Sequence, residues 1–85
     1  MPEKKSVYVV VYNDFNPFQT NLDVFSTMEK AVEQIEKTLS IAIEEQTSFE
    51  EIVVSRNAYG VLVYFAVKLV GELSYECFIR KEVIQ

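Results

Sequence analysis

Val61-Leu62-Val63-Tyr64-Phe65-Ala66-Val67-Lys68-Leu69-Val70 decides how this chain folds. β-branched and aromatic residues dominate the stretch, which predicts a strand. Side chains of a strand alternate between its two faces. One face carries Val61, Val63, Phe65, Val67 and Leu69; the other carries Leu62, Tyr64, Ala66, Lys68 and Val70. Neither set reads as a water-facing surface. Val7-Tyr8-Val9-Val10-Val11-Tyr12 has the same two-sided character. A sheet built from such strands needs cover on both faces.

Only one segment has the periodicity of an amphipathic helix. Met28, Ala31, Val32, Ile35, Leu39, Ala42 and Ile43 recur at spacings that place them on one stripe. Glu29, Lys30, Glu33, Glu36, Lys37 and Glu44 fall opposite, with Glu33 and Lys37 in a favourable i,i+4 relation. Ser26-Thr27-Met28-Glu29 matches a capping box, which predicts a helix from Thr27 to Glu45 with Ser26 as its cap. One such helix covers one sheet face, and the other is left for a partner.

The remaining elements follow from turn chemistry. Residues 6–13 predict the first strand, and residues 14–22, with Asn16-Pro17 inside, a surface loop. Asp23-Val24-Phe25 predicts a short returning strand. Glu51 to Asn57 predicts a strand, Asn57-Ala58-Tyr59-Gly60 a turn, and Leu73 to Arg80 the last strand. Residues 1–5 and 82–85 are expected to fray. The expected fold is α+β, one domain over residues 1–85. A single antiparallel sheet, in the order strand, loop, short strand, helix and three-stranded meander, carries the helix on one face.

Gly71-Glu72, with Gly first, fits a type II′ hairpin between the last two strands. That turn sets Ala66 opposite Cys77 and Tyr64 opposite Ile79 on the helix side. It sets Phe65 opposite Phe78, Val67 opposite Glu76 and Val63 opposite Arg80 on the uncovered side. An apolar centre with charged margins is the makeup of an interaction surface. The expected interface residues are therefore Tyr8, Val10, Tyr12, Val63, Phe65, Val67 and Phe78. If the first strand has the opposite parity, Val7, Val9 and Val11 replace its tyrosines and Val10.

Composition narrows the function classes. The chain has 85 residues, a net charge of −5, no histidine and one cysteine, Cys77. A domain this small is modestly stabilised alone, and disulfides, metals or oligomerisation are the usual supplements. One cysteine forms no internal disulfide, and without histidine a metal site would rest on Asp and Glu. Oligomerisation is the route left open. The acidic balance disfavours nucleic acid as a partner, because phosphate binding rests on clustered Lys and Arg. The short apolar run Val7–Tyr12 fits neither a signal peptide nor a membrane span. A lone thiol suits a reducing compartment, so cytoplasmic location is expected.

No constellation predicts catalysis, and no cofactor or metal is expected. Cys77 lies mid-strand with no histidine to activate it, and a buried cysteine behaves as a small hydrophobe. No glycine-rich phosphate loop occurs. The acids Glu44, Glu45, Glu50 and Glu51 cluster around the end of the helix and form a possible acidic patch. Such a patch would suit an inhibitor that mimics nucleic-acid phosphate toward a host protein. Phe15, Pro17 and Phe18 in the 14–22 loop leave a third reading, a small-ligand binder or enzyme with its site beneath that loop.

Val7-Tyr8-Val9-Val10-Val11-Tyr12, followed by Val24-Phe25-Ser26-Thr27-Met28-Glu29-Lys30-Ala31, resembles a pattern in short uncharacterised bacterial and phage proteins. There a VYVV-type strand precedes a VFST-x-EKA helix start, and the likeness spans residues 7–37. The resemblance implies a small phage or prophage accessory protein that acts by binding. The expected function is a non-enzymatic protein-binding module that forms a homodimer through its uncovered sheet face.

Overall fold

The computed structural model describes residues 5–15 and 17–84. Strand β1 (Lys5–Phe15) turns directly into β2 (Phe18–Phe25), and helix α1 (Met28–Glu44) follows. Strands β3 (Glu50–Arg56), β4 (Leu62–Leu69) and β5 (Glu72–Ile84) complete one antiparallel sheet in the order β2-β1-β5-β4-β3. The expected α+β architecture is what the chain adopts. Residues 1–4, part of the expected frayed start, lie outside the described range.

The β4–β5 hairpin begins one residue earlier than the sequence predicts. Its two-residue turn is Val70-Gly71, with φ of 50° and 80°. Two positive φ values make a type I′ turn, whose twist matches that of the flanking strands. Glycine thus stands second in the turn and not first. That turn alone moves the register by two residues, which keeps the expected faces; an irregularity between Val67 and Lys68, with Ser74 as the extra residue, moves it back by one. Phe65 therefore faces Cys77, Tyr64 faces Phe78, and Val67 faces Tyr75. A one-residue slip moves a whole strand to its other face. Phe65 and Val67 consequently turn toward α1, together with Tyr75, Cys77 and Ile79.

The core lies between α1 and this face. Val10, Ala31, Ile35, Leu39, Leu62, Phe65, Val67 and Cys77 form its buried cluster. Tyr8, Tyr12, Phe25, Ile52 and Ile79 pack around it. Within α1 the buried positions are Ala31, Ile35 and Leu39, as the stripe predicts, whereas Ile43 is exposed. The cap is Thr27, whose hydroxyl accepts from the Lys30 amide at 3.3 Å. Ser26 stands one residue too early for that role, so the expected capping box does not form.

Two other expectations are corrected. The expected 14–22 loop is paired strand at residues 14, 15 and 18–22, with Asn16 outside the described residues: Phe15 pairs with Phe18, and their rings sit 5.5 Å apart at the hairpin end. The tail also continues β5, since Glu82 pairs with Val7 and Ile84 with Lys5. The Asn57–Gly60 turn forms as read. Asn57 Oδ1 accepts from the amides of Tyr59 and Val61, and Gly60 has φ 78°.

Val70 is a β-branched residue held at positive φ and largely exposed. Such a conformation is strained for its side chain, whereas Asn adopts it readily. Val70→Asn, which creates an Asn-Gly turn, is expected to stabilise the fold by about 1 kcal/mol. The midpoint of urea unfolding checks this.

Candidate protein interface

Alternation along the paired strands defines the sheet face that α1 leaves uncovered. β1 contributes Val7, Val9, Val11 and Asn13, and β2 contributes Phe18, Thr20, Leu22 and Val24. β5 adds Glu76, Phe78 and Arg80; β4 adds Tyr64, Ala66 and Lys68; β3 adds Glu51 and Val53.

These side chains form cross-strand rows. Leu22, Val11, Phe78 and Tyr64 occupy consecutive paired positions across four strands. The Tyr64 and Phe78 rings stack with centroids 6.4 Å apart. Beside this apolar row runs a polar one. The Thr20 hydroxyl donates to Asn13 Oδ1 at 2.7 Å, and Asn13 Nδ2 donates to Glu76 Oε1 at 2.9 Å. The Tyr64 hydroxyl donates to Glu76 Oε2 at 3.1 Å. Val9, Val11 and Ala66 are buried although no helix lies over them. Their neighbours on the same face shield them. Toward the β2 edge the shielding ends: Leu22 is 53% exposed and Val24 63%.

Charge on this face is balanced. By alternation it carries Lys5, Lys68 and Arg80 against Glu51, Glu76 and Glu82. Arg80 Nε meets Glu82 Oε1 at 2.6 Å, Lys68 is the cross-strand partner of Glu51, and Glu76 accepts two hydrogen bonds. The formal net charge of −5 therefore belongs to the rest of the chain. Glu3 and Lys4, outside the described range, cancel each other.

Of the seven expected interface residues, only Phe78 is placed on this face by the structure. Val10, Phe65 and Val67 are buried against α1, and Tyr8 and Tyr12 pack beside them. Val63 is half-buried at the irregularity opposite Ser55 and Arg56. The opposite-parity set Val7, Val9 and Val11 is the one that lines the uncovered face. The sequence reading passed over Leu22, Val24, Asn13 and Thr20. Their signal was alternation within residues 18–25, masked by the turn residues beside them.

The four acids do not form one patch. Glu50 and Glu51 are successive strand residues on opposite sheet faces. Glu45 and Glu50 line an open cleft of about 350 Å³ between the end of α1 and the sheet, with Asp14, Thr38, Ile41 and Tyr75. Glu44 is exposed on the helix. Among the described residues, no group of three or more Asp, Glu or Cys could hold a metal ion.

Burial governs the titrating groups of the core. It pushes the Cys77 thiol from 9.0 up to about 12, and Asp23 adds to the effect. Burial also raises Tyr12, whose hydroxyl donates to Asp23 Oδ2 at 2.8 Å, and Tyr75. Tyr64 is raised by burial and by Glu76.

No helix among the described residues is long and apolar enough to cross a membrane. Comparison of the chain with protein-family models, curated proteins and solved structures returned no match.

Two outcomes follow from this placement. Phe65→Ala empties a fully buried site and is expected to destabilise the fold by about 3–5 kcal/mol, read from chemical unfolding. The native state also holds the Cys77 proton between pH 9 and about 12, where the unfolded chain has released it. Stability is thus complete below pH 9 and declines as pH rises toward 12. Cys77→Ala should flatten that decline in unfolding curves measured across the range. The raised tyrosines act in the same direction in both proteins.

Proposed function

We propose that the chain is a non-enzymatic protein-binding module that associates with a second copy of itself through the uncovered sheet face. The observation that carries this reading is a charge-balanced face with a continuous apolar row on an otherwise acidic molecule. Burying charges costs free energy unless they are paired. Here Arg80 with Glu82, and Glu76 with Asn13 and Tyr64, are already satisfied within one subunit. The same neutrality lets two copies of a protein of charge −5 approach without repulsion across the contact.

Area supports the reading as well. The molecule measures 54 × 29 × 18 Å, and the sheet lies along the two longer axes. Half of that outline is of the order of the roughly 800 Å² per partner that a standard specific interface buries. Tyr and Phe at the centre of the patch are side chains favoured as interface anchors.

Leu22 and Val24 are exposed at the β2 side of the face, so lysine fits there in the free subunit. Leu22→Lys/Val24→Lys is expected to halve the mass seen by sedimentation equilibrium and leave circular dichroism unchanged. Sodium chloride up to about 1 M should barely weaken the wild-type face association, because the face carries as many positive as negative charges and has no net repulsion or attraction to screen. A double variant with undiminished mass overturns the proposal.

A further inference from the structure

The sheet ends on two edges, and they are built differently. At β2, Asp23 points to the helix side from the middle of the strand and accepts the Tyr12 hydroxyl. A charge turned inward along an edge strand discourages another strand from adding to it. At β3 the helix-side charges, Glu50 and Arg56, stand only at the two ends of the strand. Ile52-Val53-Val54-Ser55 contains no charge, proline or glycine, and β3 pairs only with β4. Val53 and Val54 are exposed along this edge.

We infer that β3 pairs antiparallel with β3 of a second copy, about a two-fold axis through Val53. Symmetry narrows the register. Directly opposed residues share a sheet face. A two-fold axis normal to the sheet keeps each residue on its own face. Only partners of equal parity can then meet. Centring on Ile52 would set both Glu50 side chains against Val54, and centring on Val54 would set Arg56 against Ile52. Centring on Val53 sets Glu50 opposite Arg56, Ile52 opposite Val54 and Glu51 opposite Ser55, each twice. This register alone joins opposite charges at both ends and apolar pairs between them.

The charged groups are available for that exchange. Arg56 meets Glu36 at 3.3 Å and Gly60 O at 3.2 Å, both through Nη1. The Arg56 and Glu36 side chains are 47% and 44% exposed, and such a solvated pair is weakly held. Glu50 uses Oε1 for the Thr47 amide. The extra residue at the β3–β4 irregularity is Val63 of β4, so β3 itself runs unbroken from Glu50 to Arg56. The product is a ten-stranded sheet with both helices on one side. The two uncovered faces join on the other. The edge contact is separate from the face contact proposed above and does not depend on it.

Charge reversal tests the register. Glu50→Arg and Arg56→Glu each set like charges opposite one another at two places, so each is expected to weaken edge association at least tenfold in sedimentation. Glu50→Arg leaves the Arg56–Glu36 contact in place. Glu50→Arg/Arg56→Glu restores the opposition and should recover the wild-type mass. Amide exchange gives an independent reading: wild-type protection at Ile52–Val54 should rise with protein concentration, and each single reversal should abolish the rise. Leu22→Lys/Val24→Lys should leave that rise intact, whichever way the face proposal falls. Single reversals without effect, a double variant that stays dissociated, or concentration-independent β3 protection would each overturn the inference.

Discussion

A single helix must serve a sheet five strands wide, and the arrangement of the molecule follows from that limit. α1 lies over the middle of the sheet, where β1, β5 and β4 supply Val10, Cys77 and Phe65. The reverse side of the same strands carries Val9, Val11 and Ala66, which are nearly as well buried with no second layer above them. They are protected sideways, by longer neighbours and by the hydrogen-bonded line from Thr20 through Asn13 and Glu76 to Tyr64. That line satisfies polar groups within the sheet plane. Shielding of this kind weakens toward β2, where Leu22 and Val24 protrude.

The layer argument was legible in residues 61–70 and 7–12, because two-sided apolar strands and one amphipathic stripe are statements about area. Helix position was legible for the same reason: Ala31, Ile35 and Leu39 are spaced so that only one face can hold them all. Register was not legible. For which face each β4 residue takes, it hung on one extra residue, Ser74, that no local signal marks. It hung also on the place of Gly71 in the two-residue turn, where local chemistry favoured glycine first. The chain instead places Val70 at positive φ. Tertiary packing overrides the local preference. The irregularity at Val67/Lys68, with Ser74 as the extra residue, brings Phe65 opposite Cys77 and under the helix, and burial of a Phe ring outweighs the strain at one exposed valine.

β2 shows a second limit. Asn21 and Asp23 are poor strand formers, and the Asn16-Pro17 pair beside β2 reads as loop. An edge strand that meets the helix chiefly through Phe25 needs little apolar surface, so its sequence carries little strand signal. The exposed Leu22 and Val24 were lost with it. Asp23 is informative in retrospect, since its carboxylate holds the Tyr12 hydroxyl and ties this edge to the core.

Adjacency of β1 and β5 at the centre of the sheet has a consequence for how the chain reaches its native state. Val10 finds its partner Ile79 only across nearly the whole length of the chain. During synthesis the β1–β2 hairpin therefore emerges with one flank open, and it stays so until β5 leaves the ribosome. Non-local closure of this kind slows folding. For that interval the valine-rich first strand presents an unpaired flank on which another chain could template.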